Sequence, residues 1–256
     1  MRSRQSGFTL VEIAIVLVII GLLLGGVLKG QELINSAKVK NMAVDFRNIP
    51  LFIYGYQDKF KALPGDHATA ATVISGASNA VGPTTTGDPA VTCSPNCRGN
   101  GVIDGVWNST GATVAASTET EMFWAHVRLA GLAAGPTSIT DTGYYPTNAD
   151  GGRIGIESGG AATGGSYIQN GDLSGTGTST TIAAKSPVSY FTPTYLICST
   201  GILGKYAKQL DTTLDDGEGA TGSIRIVSAT HTRKTGFPVP TGVVVDSTSY
   251  IVCMGL

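Results

Sequence analysis

Glu12 is the one charged residue in an otherwise apolar segment that covers residues 8–28. A carboxylate set in hydrocarbon costs on the order of 3 kcal/mol unless a partner neutralises it, so its placement calls for a use. A second group of acids, Asp211, Asp215 and Asp216, gathers the hard oxygen donors that calcium takes. The Asp216-Gly217 pair is equally what a tight turn requires. Four cysteines, Cys93, Cys97, Cys198 and Cys253, all lie beyond the apolar segment. In an oxidising compartment they would form disulfides, for which three pairings exist. The expected ones join Cys93 to Cys97 across a small loop and Cys198 to Cys253 between two strands. Zinc is the weaker use, because its sites usually show two close-spaced ligand pairs; here there is one, and His67, His126 and His231 are scattered. The chain has no Gly-x-Ser-x-Gly elbow, no phosphate-binding P-loop, no His-Glu-x-x-His and no Gly-x-Gly-x-x-Gly opening a helix after a strand. An enzyme is not expected.

The element that must position Glu12 is a helix. Residues 8–30 would be about 35 Å long as an α-helix, enough to cross a hydrocarbon core of roughly 30 Å. Arg2 and Arg4 precede it, which keeps the N-terminus cytoplasmic and sends the bulk of the chain outward. A secretory signal would carry a small-residue cleavage site after its apolar run. Residues 29–32 instead continue a helical pattern, so the apolar segment is expected to stay in the mature chain. Gly21 and Gly25 stand four apart, with Gly26 beside them, a spacing that lets membrane helices approach closely.

The N-terminal residues, a short basic leader ending in Gly7 and followed by Phe8-Thr9-Leu10-Val11-Glu12 and a long apolar helix, resemble the type IV pilin and type II secretion pseudopilin superfamily. The resemblance implies that a prepilin peptidase cuts between Gly7 and Phe8 and methylates the new N-terminus at Phe8. It implies three parts: a leader at 1–7, a transmembrane and assembly helix at 8–30, and an exported pilin-like globular domain at 31–256. The Phe8 amine of one subunit would then pair with Glu12 of the next, neutralising both in the membrane or filament core. Implied partners are the peptidase, other pilin or pseudopilin subunits, an inner-membrane assembly platform and membrane lipid. The implied location is the bacterial inner membrane, single-pass, with the bulk periplasmic, and then a filament. Many major type IV pilins carry a proline inside this helix, whereas here none precedes Pro50, which leaves pilus against pseudopilus open. The alternative reading is a membrane-anchored exported hydrolase or binding protein that does not assemble.

Beyond Lys29, residues Val39, Met42, Phe46, Ile49, Ile53, Tyr56 and Phe60 advance by three or four, one face of an amphipathic helix. That stripe needs a cover, and the cover expected is a C-terminal antiparallel β-sheet in an α+β fold. Pro50 is expected to kink or briefly interrupt the helix, and Pro64-Gly65-Asp66 to end it in a turn with Asp66 as turn or cap residue. Residues 56–66 also resemble an element that follows the first helix in many pilin-like proteins. The 98–105 segment is similar to a cation-binding loop but lacks its alternating acidic ligands. Thr118 followed by Glu121 reads as a capped helix start, and His126 within that helix reads as structural. Residues 136–185, dominated by small and polar side chains, read as a decorated sheet edge or a long loop. Strands are expected over 189–198, 223–229 and 242–254. Residues 210–219 resemble the acidic loop of pilin-like C-terminal domains, some of which bind calcium. No other cofactor is expected. With Gly, Thr and Ser abundant in the exported part, the resemblance favours a minor or specialised subunit. A net charge of −1 and a pI near 6.3 give no field to attract nucleic acid.

Overall fold

A computed structural model of the chain describes residues 7, 10–79, 98–108, 118–159, 169–170, 189–191, 193–229 and 238–256. The first element is one helix, α1, at Leu10–Phe60, 51 residues long. Its buried residues are Val39, Met42, Ala43, Phe46, Ile49, Ile53 and Tyr56, the stripe expected from the three-and-four spacing. The expected interruption at Pro50 does not occur, because the helix runs through it. Proline forfeits one backbone bond to the carbonyl four residues back, and Phe46, Ile49 and Ile53 around it are all buried. Packing holds the turn that the proline weakens.

Among the described residues the remaining elements are α2 at Ala70–Val73, α3 at Glu119–Leu129, β1 at Ile154–Ser158, β2 at Gln169–Asn170, β3 at Ser189–Tyr190, β4 at Tyr195–Leu203, α4 at Gly204–Leu214, β5 at Ile224–Ser228, a 3-10 turn at Thr241–Val243 and β6 at Ser249–Gly255. A four-stranded antiparallel sheet has the order β1-β4-β6-β5, with β2 and β3 forming a separate pair. The fold is therefore α+β, a long N-terminal helix on a C-terminal sheet. Strand β1 lies inside the 136–185 segment and is the edge of the sheet. The strand expected over 189–198 is divided, with β3 and β4 on either side of Pro193, a residue with no N–H for a ladder.

Alternation along β4 sends Ile197 into the core beneath α1 and α4, and a register shift between Ser199 and Ile202 brings Ile202 to the same side, together with Ile156, Ile224, Ile226 and Val252. Leu196 and Cys198 face the other way, where Trp107, Val227, Ile251 and Cys253 make a second apolar layer. The sheet is thus covered on both faces. Gly155 explains how the Trp107 segment comes so close to β1: a Cβ there would lie 2.1 Å from the Trp107 carbonyl oxygen. Cys198 sits opposite Cys253 across β4 and β6, and the two are bridged, as expected. Cys93 and Cys97 lie outside the described residues.

Helix α4 was not foreseen. Residues 210–214, expected as the start of an acidic loop, are its last turn. It packs against α1, where Tyr206 Oη donates to Asn35 Oδ1 at 2.6 Å. A second tie is the pair of Lys38 Nζ with Asp150 Oδ1 at 2.7 Å.

Candidate functional site

Residues 10–29 of α1 are all exposed. Its most apolar 18-residue window has a mean hydropathy of 2.8 and is wholly unburied; Leu10, Leu22 and Leu28 are 90%, 74% and 66% exposed. Apolar surface on this scale requires lipid or other helices around it. Glu12 is exposed in the first turn of the helix, where the unsatisfied N–H groups favour an acid. Gly7 is exposed, and Phe8 lies outside the described residues. Exposed apolar residues continue past the membrane-length stretch at Val44, Leu51 and Tyr54, on the side of α1 turned away from the sheet.

The three acids expected as calcium ligands are brought together: Asp211, Asp215 and Asp216 each offer an oxygen within 4.8 Å of the others. That is the diameter of a coordination shell of radius about 2.4 Å, the calcium–oxygen distance. Asp215 ends α4, and its Oδ2 accepts the Ser223 and Ile224 N–H groups at 2.5 and 2.9 Å. Asp216 accepts the Glu218 N–H and the Thr221 hydroxyl at 2.9 and 2.7 Å. Asp211 is fully buried, and neither of its oxygens meets a hydrogen-bond donor among the described residues. Burial, then the negative charges of Asp216, Asp215 and Glu218, push its carboxyl up to about 7, with Arg225 opposing. A buried carboxylate with no donor is what a cation would satisfy, so these residues fit calcium.

A further buried polar group surrounds the start of α3. Glu121 Oε2 accepts the Thr118 N–H at 2.7 Å, the return half of the expected capping box. His126 is fully buried; its Nδ1 accepts the Gly65 N–H at 2.9 Å and its Nε2 lies 2.8 Å from the Ser78 carbonyl oxygen. Burial holds that imidazole neutral, down to about 4. The histidine therefore joins the turn after α1 to α3, as its structural reading implied. Asp66 does more than end a turn. Its carboxylate accepts backbone N–H groups from Gly99, from Asn100 at 3.3 Å and from Gly101 at 2.7 Å. The 98–105 loop thus presents donors to an anion, the reverse polarity of a cation loop. Glu119, buried beside it, is the functional candidate that sequence reading missed. Its only local sign is an acid just after the cap of an apolar helix, a common preference in first turns.

Residues 2–28 match the family described as the prokaryotic N-terminal methylation motif, the cleavage and methylation signal of type IV prepilins and pseudopilins. No curated protein and no solved structure matches the chain. The exposed apolar helix and this signal together point to a membrane-anchored chain with an exported bulk.

Proposed function

We propose that this chain is a structural, non-enzymatic subunit of a type IV pilus or type II secretion pseudopilus, in a minor or specialised position. A leader of residues 1–7 is removed by prepilin peptidase between Gly7 and Phe8, and the new N-terminus at Phe8 is methylated. Residues 8–30 hold the chain in the inner membrane, residues 31–256 are periplasmic, and the subunit then passes through the assembly platform into a filament. What carries this reading is the division of labour along α1. One continuous helix is apolar and exposed all round for its first half, yet locked into a folded domain through its second. A plain anchor needs the first property and not the rigid continuation, and it has no use for Glu12.

In the mechanism that follows, subunits leave lipid by packing their first half-helices against one another. That transfer exchanges lipid contacts for helix contacts, so apolar burial alone cannot fix axial position. A charge pair can. Glu12 of an incoming subunit meets the Phe8 amine of its neighbour, and in a low dielectric a mispaired register leaves two unmatched charges. The Glu12→Leu variant should be cleaved, inserted and folded like the wild type, while its abundance in sheared filament fractions relative to the inner membrane falls at least about tenfold, as loss of on the order of 3 kcal/mol of pairing permits. Equal incorporation of Glu12→Leu and wild type would refute the pairing.

We also infer that Asp211, Asp215 and Asp216 hold a calcium ion. When bound it would supply a divalent counter-charge to the buried carboxylate at the end of α4, beside Asp215, whose Oδ2 accepts the Ser223 and Ile224 N–H groups.

A further inference from the structure

One end of the sheet lies close to the apolar half of α1. Strand β4 starts beside the far end of α1, where Tyr195 lines a cleft with Gln57, Phe60 and Leu63. It finishes at Leu203, paired with Ser249 at the start of β6. Helix α4 follows at once, and its Tyr206 Oη reaches Asn35 Oδ1. Strand β4 therefore runs antiparallel to α1, and its span of about 26 Å matches most of the roughly 33 Å of helix between Asn35 and Gln57. Residues 241–248, which lead into β6, are fixed at that same end. The Gly204 N–H donates to the Thr248 carbonyl at 2.8 Å and the Lys205 N–H to the Asp246 carbonyl at 3.3 Å. The Val245 N–H donates to the Tyr250 hydroxyl at 3.0 Å, and a Cβ on Gly204 would stand 2.2 Å from the Val245 carbonyl oxygen.

This anchored segment exposes apolar side chains. Val244 is buried, and its neighbours Val243 and Val245 are each 54% exposed. The one acid of the segment, Asp246, is paired with Lys208 at 2.5 Å. Lys205 is exposed, with its Nζ 4.7 Å from the centre of the Tyr206 ring, and makes no ion pair among the described residues. Apolar side chains beside a positive charge suit the boundary between lipid headgroups and acyl chains. The height suits it too. Asn35 is seven residues past Leu28, about 10 Å along the helix axis, against a headgroup layer of about 5–8 Å. The tilt of about 20° usual for a spanning helix brings one side of the domain lower still.

We propose that, while α1 is embedded, residues 241–248 rest on the surface of an anionic phospholipid bilayer, with Val243 and Val245 in the headgroup boundary and Lys205 on lipid phosphates. This rests on the reading that residues 8–30 hold the chain in a membrane, and not on assembly into a filament. A lone helix lets the domain lean in any direction; a second point of support fixes the side. Leaning toward residues 241–248 turns Val44, Leu51 and Tyr54, on the side of α1 away from the sheet, up from the bilayer, where a partner in the aqueous phase can reach them.

The test adds one tryptophan at a time to the full chain, reconstituted in vesicles of phosphatidylcholine alone or mixed with phosphatidylglycerol, each made with and without bromine on the acyl chains near the headgroups. Bromine quenches tryptophans that it contacts, and native Trp107 and Trp124 are buried in the domain; emission is read as the excess over wild type. Val18→Trp, in the apolar half of α1, reports the embedded helix and should be quenched in both vesicles. Val243→Trp and Val245→Trp should each lose at least about half of their added emission in the mixed vesicles and less in phosphatidylcholine alone. Adding Lys205→Glu should reduce that loss. Val73→Trp, replacing a valine that is 56% exposed on α2 at the opposite end of the domain, should lose none. The proposal is overturned if Val243→Trp and Val245→Trp keep their emission while Val18→Trp is quenched, or if neither phosphatidylglycerol nor Lys205→Glu alters their quenching. Unquenched emission from Val18→Trp as well would overturn the membrane reading along with it.

Discussion

Asp211 is fully buried, and among the described residues neither of its oxygens meets a donor. Without metal, its rise to about 7 means that the folded chain takes up a proton above the unfolded Asp value of about 3.9. That contribution is complete below about pH 4 and is lost as pH climbs through 7. Calcium reverses the trend by replacing the proton. Thermal melts should therefore show a calcium-induced gain that is largest above neutral pH and fades on acidification, amounting to about 2.7 kcal/mol at a calcium concentration 100 times the Kd. Asp211→Asn should abolish the gain, and in chelator at high pH it should be no less stable than wild type, since it removes an unmatched buried charge. At this scale Glu12 and the three aspartates were legible, because a charge in an apolar run and clustered acids are local facts. Glu119 was not. Its burial and its contact with the Asp104 N–H depend on a loop fifteen residues earlier that folds back onto the start of α3.

At the scale of elements, α1 serves two environments with one helix, and its side chains sort accordingly. Phe46 is 2% exposed under the sheet, whereas Leu51 is 63% exposed on the opposite side. Phe46→Ala should lower the unfolding free energy by about 3–5 kcal/mol, read by denaturant titration of the fluorescence of buried Trp107 and Trp124. Leu51→Ala should stay within about 0.5 kcal/mol of wild type. The α1 stripe was readable because a 3.6-residue period over several turns has no other cause. Helix α4 escaped because it is short, opens at Leu203 without a side-chain cap and follows β4 directly. Strand β1 escaped for a tertiary reason. Its apolar pattern is broken by Gly155, a residue required by the Trp107 carbonyl pressed against it and not by anything in the strand itself.

At the scale of the whole molecule, the buried part of α1 begins at Val39, and the ties of Asn35 to Tyr206 and of Lys38 to Asp150 lie beyond the apolar segment. A chain lacking residues 1–28 should therefore keep the thermal midpoint of the full chain while sedimenting as a monomer in buffer without detergent, whereas the full chain needs detergent to stay dispersed. The bridge between Cys198 and Cys253, 55 residues apart, adds a mechanical property to that domain. A pull applied between α1 and the C-terminus enters β4 and crosses to β6 through sulfur, bypassing α4, β5 and the acidic cluster. Those residues form a slack covalent ring outside the load path. At about 3.4 Å per residue, stretching the chain would yield about 190 Å less extension than its length allows, and Asp211, Asp215 and Asp216 would bear no tension while the rest of the fold gave way.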